Sequence, residues 1–491
     1  MMKNVVILGG GSAGWITALG LQRIWKNINI TVVEDSKIPP IIAGESGSAF
    51  VKKFYDFLDI DINDWVIKTN AMPKLGSIFH NWNTVGENFH HAAINISPLE
   101  EMAKHFGVYH YKIEHYSIAD NYPISKLYPA GYLIESNKIP LGPNGMIEDT
   151  MYHFDSRLNA DYLKTIALSR GITHLDRKYT HCELDSSGNI TELFFEQGDT
   201  IKGDWFFDCS GFARLLLSKV MKVEFEDLSR LFPASKVVAW WDKPNDKIYT
   251  NITAMDYGWS WNINIRNRTG NGYIYDGNEI TLEKAIEEAE TKFNTKIDPV
   301  AKLSFTPSVV KEYWKNNVIG IGLSAGFVEP LESNGLSIVI LTILNIVHHW
   351  NPFGCIDIDR KNFNIKCCAD MDDIINFLNL HYRGKRTDTS YWQKLKDPNT
   401  VTDLNKERIE LWSNGILGSI HNNRFNFSAE SYLTVAQGLG LINTEKLKER
   451  LKYENQSSKA HLELRKQARI DYERVLSKCK DFSEWSKQNV K

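Results

Sequence analysis

The sequence predicts an α/β protein: a Rossmann-like βαβ start, an inserted antiparallel sheet and a mainly helical C-terminal region. Three observations carry this expectation. The apolar run Val5-Val6-Ile7-Leu8 leads directly into Gly9-Gly10-Gly11-Ser12-Ala13-Gly14, and a second apolar run, Ile28 to Val33, ends at the acid Glu34. Residues 235–275 alternate well enough to form antiparallel strands, whereas the chain after residue 350 reads as helix.

Each part of the start has a task on a dinucleotide. Gly9 permits the tight turn, Gly11 lets the backbone N–H groups of Ser12 and Ala13 approach a pyrophosphate at a helix N-terminus, and Gly14 allows close helix–strand packing. Glu34, about twenty residues on, accepts hydrogen bonds from an adenosine ribose. A bare glycine motif is weak, but a strand before it, a helix after it and the acid in place make a dinucleotide site and a redox enzyme the leading expectation.

Residues 51–68 read as helical, with Phe54, Phe57, Leu58 and Trp65 near one face and Asp61 to Asp64 capping a turn. Residues 69–150 read as short strands and loops. The pattern from Tyr152 to Arg170 predicts a helix stopped by Gly171, followed by strands 183–185 and 190–195 joined by Ser186-Ser187-Gly188-Asn189. Trp205 to Gly211 predicts a buried strand, 280–293 a charged amphipathic helix, and 318–326 a strand entering a glycine turn. That last segment lacks a βαβ continuation with a terminal acid, so no separate nicotinamide site is expected.

Composition narrows the class. At 491 residues the chain exceeds one simple core. The expected division is a dinucleotide-binding domain over 1–350, with β segments interleaved at about 69–150 and 235–300, and a helical region over 351–491. A net charge of −3 offers no footprint for nucleic acid or an anionic membrane. Six cysteines without metal spacing read as reduced thiols, and the scattered histidines, His90-His91 included, suggest no metal site. No secretion signal is evident at the start, and the apolar stretch Leu336 to Val347 is too short to span a bilayer, so a cytoplasmic enzyme is expected. The densely charged tail suits a solvated or oligomer-facing surface, compatible with a homo-oligomer. The 14 tryptophans fit either a large core or a cavity for a flat aromatic substrate.

Four further segments sharpen the reading: Asn70-Ala71-Met72-Pro73-Lys74-Leu75-Gly76, Gly258-Trp259-Ser260-Trp261-Asn262-Ile263-Asn264, Phe327-Val328-Glu329-Pro330-Leu331-Glu332-Ser333-Asn334-Gly335, and His381-Tyr382 followed by Arg386, Asp388 and Trp392. With Tyr152-His153-Phe154-Asp155 and Asp208-Cys209-Ser210-Gly211-Phe212, they resemble the flavin-dependent halogenases of the tryptophan-halogenase type. The resemblance spreads from residue 5 to about 440.

It implies the FAD-binding Rossmann-like fold of the p-hydroxybenzoate hydroxylase and glutathione reductase type. FAD, entering as FADH2, would be held by Gly9, Gly11, Ser12, Ala13, Gly14, Glu34, Glu45, Asp208, Gly211 and Gly326. In the family, reduced flavin, oxygen and a halide ion yield hypohalous acid, which crosses a tunnel and halogenates an electron-rich aromatic carbon. Lys74 stands where the family has its essential lysine, Glu332 matches its carboxylate, and Ser333 would orient one of them. If the lysine is desolvated its pKa falls. Asn334 and Gly335, opening a helical run, would offer N–H groups to the halide. Trp259 and Trp261 lie two apart, so a strand puts both on one face, where the family keeps substrate from flavin. Phe427 and Tyr432 occupy the neighbourhood that sandwiches the substrate ring.

The sequence departs from the pattern at three places. Asn264 replaces proline, restoring a backbone N–H. Asn334 replaces a small residue after Glu332-Ser333 and suggests room for bromide or iodide. In Asn423-Arg424-Phe425-Asn426-Phe427 a phenylalanine replaces the expected tryptophan, which leaves free tryptophan, another indole, a phenol or a heteroaromatic open as substrate. The expected partners are a separate NAD(P)H-dependent flavin reductase and a small aromatic molecule. Competing readings are a single-component FAD aromatic monooxygenase, which needs neither Lys74 nor the tryptophan pair, and a non-catalytic flavin-binding sensor or scaffold.

Overall fold

A computed structural model describes residues 4–38, 45–94, 97–109, 111–140, 150–349, 357–418, 427–454 and 458–489. The chain forms two compact units. The first comprises 1–71, 154–232 and 305–373, and the second comprises 72–153, 233–304 and 374–491. The interleaved β segments thus share a unit with the C-terminal helices, and the last boundary falls at 373/374, within the helix Asp357–His381, not near 350.

The first unit is built on a six-stranded sheet in the order Trp314–Lys315, Val318–Gly320, Trp205–Asp208, Asn4–Leu8, Asn29–Glu34, Thr173–Asp176. All neighbours are parallel except the edge hairpin, where Trp314 pairs with Ile319. Val5, Val6, Ile7 and Leu8 are buried, as expected for a parallel strand covered on both faces. Helix Ser12–Ile24 follows the first strand and packs on helices Ser156–Ser169 and Gly335–His349. The run Leu331–His348, longer than the apolar stretch read from sequence, has mean hydropathy 1.4, and 61% of it is buried within the protein. By length and composition alone it is apolar enough to cross a membrane; here it serves as core, with Ile343 lying against Gly20 so closely that a Cβ on Gly20 would sit 3.0 Å from Ile343 Cγ2.

The second unit holds a seven-stranded sheet, ordered Ala301–Ser304, Lys236–Asp242, Arg268–Tyr275, Gly258–Ile265, Thr250–Ala254, Gly76–His80, Asn88–Ala92. Its pairs are antiparallel apart from Thr250–Ala254 with Gly76–His80. The alternation read over 235–275 therefore marks real strands.

Two expectations need correction. Among the described residues, 69–150 contain the α-helices Ser97–Phe106, Tyr111–Ala119 and Pro129–Ser136 and the 3-10 turn Ile124–Leu127, and not only strands and loops. Helix Tyr111–Ala119 hides its periodicity because Glu114 and Ser117 are buried along with Ile113, Tyr116 and Ile118. Tyr152 and His153 belong to the strand Met151–Phe154, and the helix starts at Ser156. Its cap is Asp155, whose Oδ1 accepts the N–H groups of Arg157 and Leu158 at 3.0 Å each. The cap at Asp61 is as read, accepting from Asn63 and Asp64.

Glu114 accepts the Tyr128 hydroxyl at 3.0 Å, and burial pushes its carboxyl up to about 8 from 4.5. The folded protein therefore keeps a proton there that the unfolded chain releases at lower pH. The stabilisation is complete below about 4.5 and fades as pH rises through about 8. Glu114→Gln should remove this slope, leaving the variant more stable than the parent at pH 9 by on the order of 5 kcal/mol and matched near pH 4. Urea denaturation across that pH range measures it.

Candidate functional site

In the first unit the strand Asn4–Leu8 ends at Gly9, whose φ of 127° only glycine adopts readily. A Cβ on Gly9 would lie 2.2 Å from the Cys209 carbonyl oxygen, and one on Gly14 would lie 1.8 Å from that of Gly9. The turn is thus pressed between the helix and the neighbouring strand. Gly11 is the N-cap of helix Ser12–Ile24, and no side chain caps that end. A Cβ added there would meet nothing within 4 Å, and the same holds at Gly211 and Gly335. Of these, Gly11 stands at an uncapped helix N-terminus, which suits a pyrophosphate. The residues present fit a dinucleotide such as FAD.

Ser12 is half-committed already: its hydroxyl donates to the Ser156 carbonyl at 3.4 Å and accepts from Asn159 Nδ2 at 3.1 Å. Ala13, half-buried, offers only backbone. Glu34 ends its strand as expected, with Oε1 receiving Lys164 Nζ at 2.6 Å and His174 Nε2 at 2.8 Å. Lys164 and His174 carry no local signal in the sequence. Gly10, also unmarked there, is required too, because a Cβ would fall 1.9 Å from Glu34 Oε2. Glu45 forms the short strand Glu45–Ser46, and its side chain lies outside the described residues.

Asp208 is fully buried, and its carboxylate is spent on its own loop. Oδ1 accepts the Ser210 N–H at 3.0 Å and hydroxyl at 2.6 Å, while Oδ2 accepts the Leu216 and Leu217 N–H groups at 2.8 Å each. It shapes the loop that contains Gly211 (φ 64°) and does not itself present a free carboxylate. Gly326 sits in the strand Gly326–Phe327 against Val309, where a Cβ would be 3.0 Å from Val309 Cγ1.

After Pro330 the backbone enters a segment unusual for its residue types: Glu332 and Ser333 both have φ of 62°. Two successive non-glycine residues in the left-handed region cost on the order of 1 kcal/mol each. Asn334 is buried, with its Nδ2 turned back onto the Leu331 carbonyl at 2.7 Å, so its side-chain amide is engaged locally. Gly335 then opens the helix Gly335–His349.

The second unit carries Lys74, Trp259, Trp261, Phe427 and Tyr432. Lys74 is 3% exposed, on the strand Met72–Lys74 paired with Met151–Phe154. Trp259 and Trp261 share a face of Gly258–Ile265 with ring centroids 5.9 Å apart. Trp261 lies over Gly272, where a Cβ would come within 2.1 Å of its ring. Phe427 stacks on Phe377 at 3.7 Å, and Tyr432 meets the same ring edge-on at 4.9 Å with the Arg408 guanidinium 4.2 Å from its own centre. The rings continue from Phe377 to His381 (5.0 Å), to Trp82 (6.1 Å) and to Trp259 (6.5 Å). Segments that sequence treats separately are joined by Trp82 and Phe377, which it did not single out. Residues 423–426 lie outside the described residues.

The His381 to Trp392 segment has a supporting task. Arg386 grips Asp388 (2.7 Å), Asp256 (3.0 Å) and the Ala254 carbonyl (3.0 Å), and Trp392 Nε1 donates to the Met255 carbonyl at 2.8 Å. These bonds hold the hairpin that turns into Gly258-Trp259.

Residues 4–453 match the family model described as tryptophan halogenase. The chain is similar to the 7-chloro-L-tryptophan 6-halogenase KtzR of Kutzneria sp. (strain 744), 31% identical with 90% of this chain and 91% of the relative covered. It is similar as well to the tryptophan 7-halogenase RebH of Lentzea aerocolonigenes, 29% identical with 90% of each covered. Among solved structures, the tryptophan 6-halogenase SttH from Streptomyces toxytricini superposes with a TM-score of 0.86 at 27% identity, covering 98% of this chain and 99% of that one. The tryptophan C-6 flavin-dependent halogenase from taromycin biosynthesis gives 0.86 at 28% identity with the same coverage.

Relieving the strain at Ser333 should be visible. Ser333→Gly is expected to raise stability by about 1 kcal/mol, read as a higher Tm in thermal denaturation.

Proposed function

Because the chain belongs to the tryptophan halogenase family and is a flavin-dependent halogenase, we propose that it halogenates an electron-rich, tryptophan-type aromatic substrate through Lys74. The relatives are halogenases, which disfavours the monooxygenase reading. The observation that carries the proposal is the burial of Lys74, at 3% exposure, within the unit that also holds Trp259 and Trp261. A lysine amine removed from water is costly unless it has work there.

Gly9, Gly11, Gly14 and the N–H groups of Ser12 and Ala13 would hold the FAD pyrophosphate, with Glu34 toward the ribose, Glu45, Gly211 and Gly326 lining the rest, and Asp208 shaping the loop. Bound there, reduced FAD would supply hypohalous acid from oxygen and a halide ion, and a separate NAD(P)H-dependent reductase would supply the FADH2. The helix start at Asn334 and Gly335 would hold the halide through backbone N–H groups. Asn334 departs from the family pattern, yet its side chain is folded onto Leu331, so the backbone remains the contact on offer.

Lys74 would hydrogen-bond hypohalous acid and aim its halogen at one ring carbon. The ring carbon gains the halogen, the ring proton leaves to a base, and the hydroxyl of the acid departs as water. Glu332 would stabilise the cationic ring and accept the proton, with Ser333 orienting it. Trp259, Trp261, Phe427 and Tyr432 would confine the substrate ring and exclude water.

Lys74→Ala tests the reading, with FADH2 supplied by a flavin reductase and L-tryptophan or indole as probe in chloride or bromide. Halogenated product, followed by mass spectrometry, should fall at least about a hundredfold while flavin oxidation continues at the parent rate. Equal loss of both activities would count against the role assigned to Lys74.

A further inference from the structure

The strand that carries Lys74 is poorly anchored by itself. It is three residues long, and its central Pro73 has no N–H to give to a ladder. Two residues later Gly76, with φ of 155°, swings the chain into the seven-stranded sheet, so close to the neighbouring strand that a Cβ would fall 2.6 Å from the His91 carbonyl oxygen. A short ribbon leaving a bend needs another restraint if a side chain on it is to keep one position.

That restraint comes from His153. It faces Met72 in the register that pairs Lys74 with Met151, and it is fully buried. Its Nδ1 lies 3.2 Å from the Asn264 carbonyl, on the strand of Trp259 and Trp261, and its Nε2 lies 2.8 Å from Thr250 Oγ1. A carbonyl oxygen only accepts, so Nδ1 carries the proton and Nε2 accepts the Thr250 hydroxyl, which defines one neutral tautomer. Burial, with the Lys74 charge second, drives the imidazole pKa well below 6.5, so the ring adds no second cation beside the lysine. Thr150 Oγ1 donates to the Lys74 carbonyl at 3.0 Å, and Leu75 N–H donates to Ile248 at 2.7 Å, completing the attachment.

We propose that His153 is a positioning residue for halogen transfer, its imidazole tying the Lys74 ribbon to the strand that bears Trp259 and Trp261. The inference rests on the reading of Lys74 as the halogen-delivering amine. It makes the angle between amine and aromatic wall a property of one doubly hydrogen-bonded ring.

The test uses the full-length enzyme with FADH2 from a reductase, bromide, and L-tryptophan or indole as probe. A diketone scavenger in solution reports escaped hypobromous acid. Thr250→Val removes one of the two bonds at matched volume, His153→Phe removes both, and His153→Gln restores a donor and an acceptor. Expected for Thr250→Val and His153→Phe are a roughly ten- to hundredfold lower kcat for ring bromination, an unchanged KM and unchanged flavin oxidation. More oxidant should reach the scavenger, the ratio of ring-position isomers should shift, and His153→Gln should recover part of both losses. If His153→Phe fails to fold, Thr250→Val carries the same readouts.

Parent-like kcat and isomer ratio in Thr250→Val and His153→Phe overturn the inference, as does parallel loss of bromination and flavin oxidation in a folded variant. Lys74→Ala run alongside separates the two levels. Bromination surviving in Lys74→Ala sinks the reading of Lys74, whereas its loss there with parent-like His153 variants sinks only the positioning role.

Discussion

A lysine amine almost wholly withdrawn from water is the constraint around which the second unit is arranged. Desolvating an ammonium costs several kcal/mol unless neighbouring groups compensate, so its surroundings have to be built and held. The ribbon that carries it is interrupted by Pro73 and pairs with the strand of the buried His153. A second positive charge beside it would be prohibitive, and the burial of His153 prevents one.

The first unit is shaped differently, by close approach of backbone to backbone and of backbone to side chain. Gly9, Gly10 and Gly14 are glycines because a Cβ would strike Cys209, Glu34 and Gly9 respectively, while Gly11, Gly211 and Gly335 leave room beside the chain. Two successive left-handed residues, Glu332 and Ser333, stand immediately ahead of the helix that opens at Gly335. Strained backbone of this kind persists where the surrounding structure over-determines it, commonly at functional sites. The apolar helix that follows, Gly335–His349, packs against Ser12–Ile24 and Ala49–Phe57.

The tryptophan-rich composition serves packing in both units. Trp15, Trp65 and Trp314 are core residues of the first unit, whereas Trp82, Trp259 and Trp392 belong to the run of rings in the second. Aromatic pairs at these separations, tilted between Trp82 and Trp259 and edge-to-face between Trp82 and Trp392, fix one another's orientation.

What the sequence determined by itself was local. The glycine turn after Leu8, the caps at Asp61 and the stop at Gly171, the hairpin at Ser186 to Asn189 and the shared face of Trp259 and Trp261 depend on residues within a few positions of one another, where φ preferences, capping and strand parity decide the outcome. The start of the helix at Ser156, the helices hidden in 97–136 and the membership of the two units were decided only by tertiary packing, since buried polar residues such as Glu114 break the apolar period. The partners of the key side chains were equally out of reach. Lys164 is 130 residues from Glu34, and His153 meets Asn264 and Thr250 across 111 and 97 residues. Hydrogen bonds and ring contacts act over a few ångströms of space and carry no signature along the chain, so the sequence announces which groups are present and the fold alone chooses which of them meet.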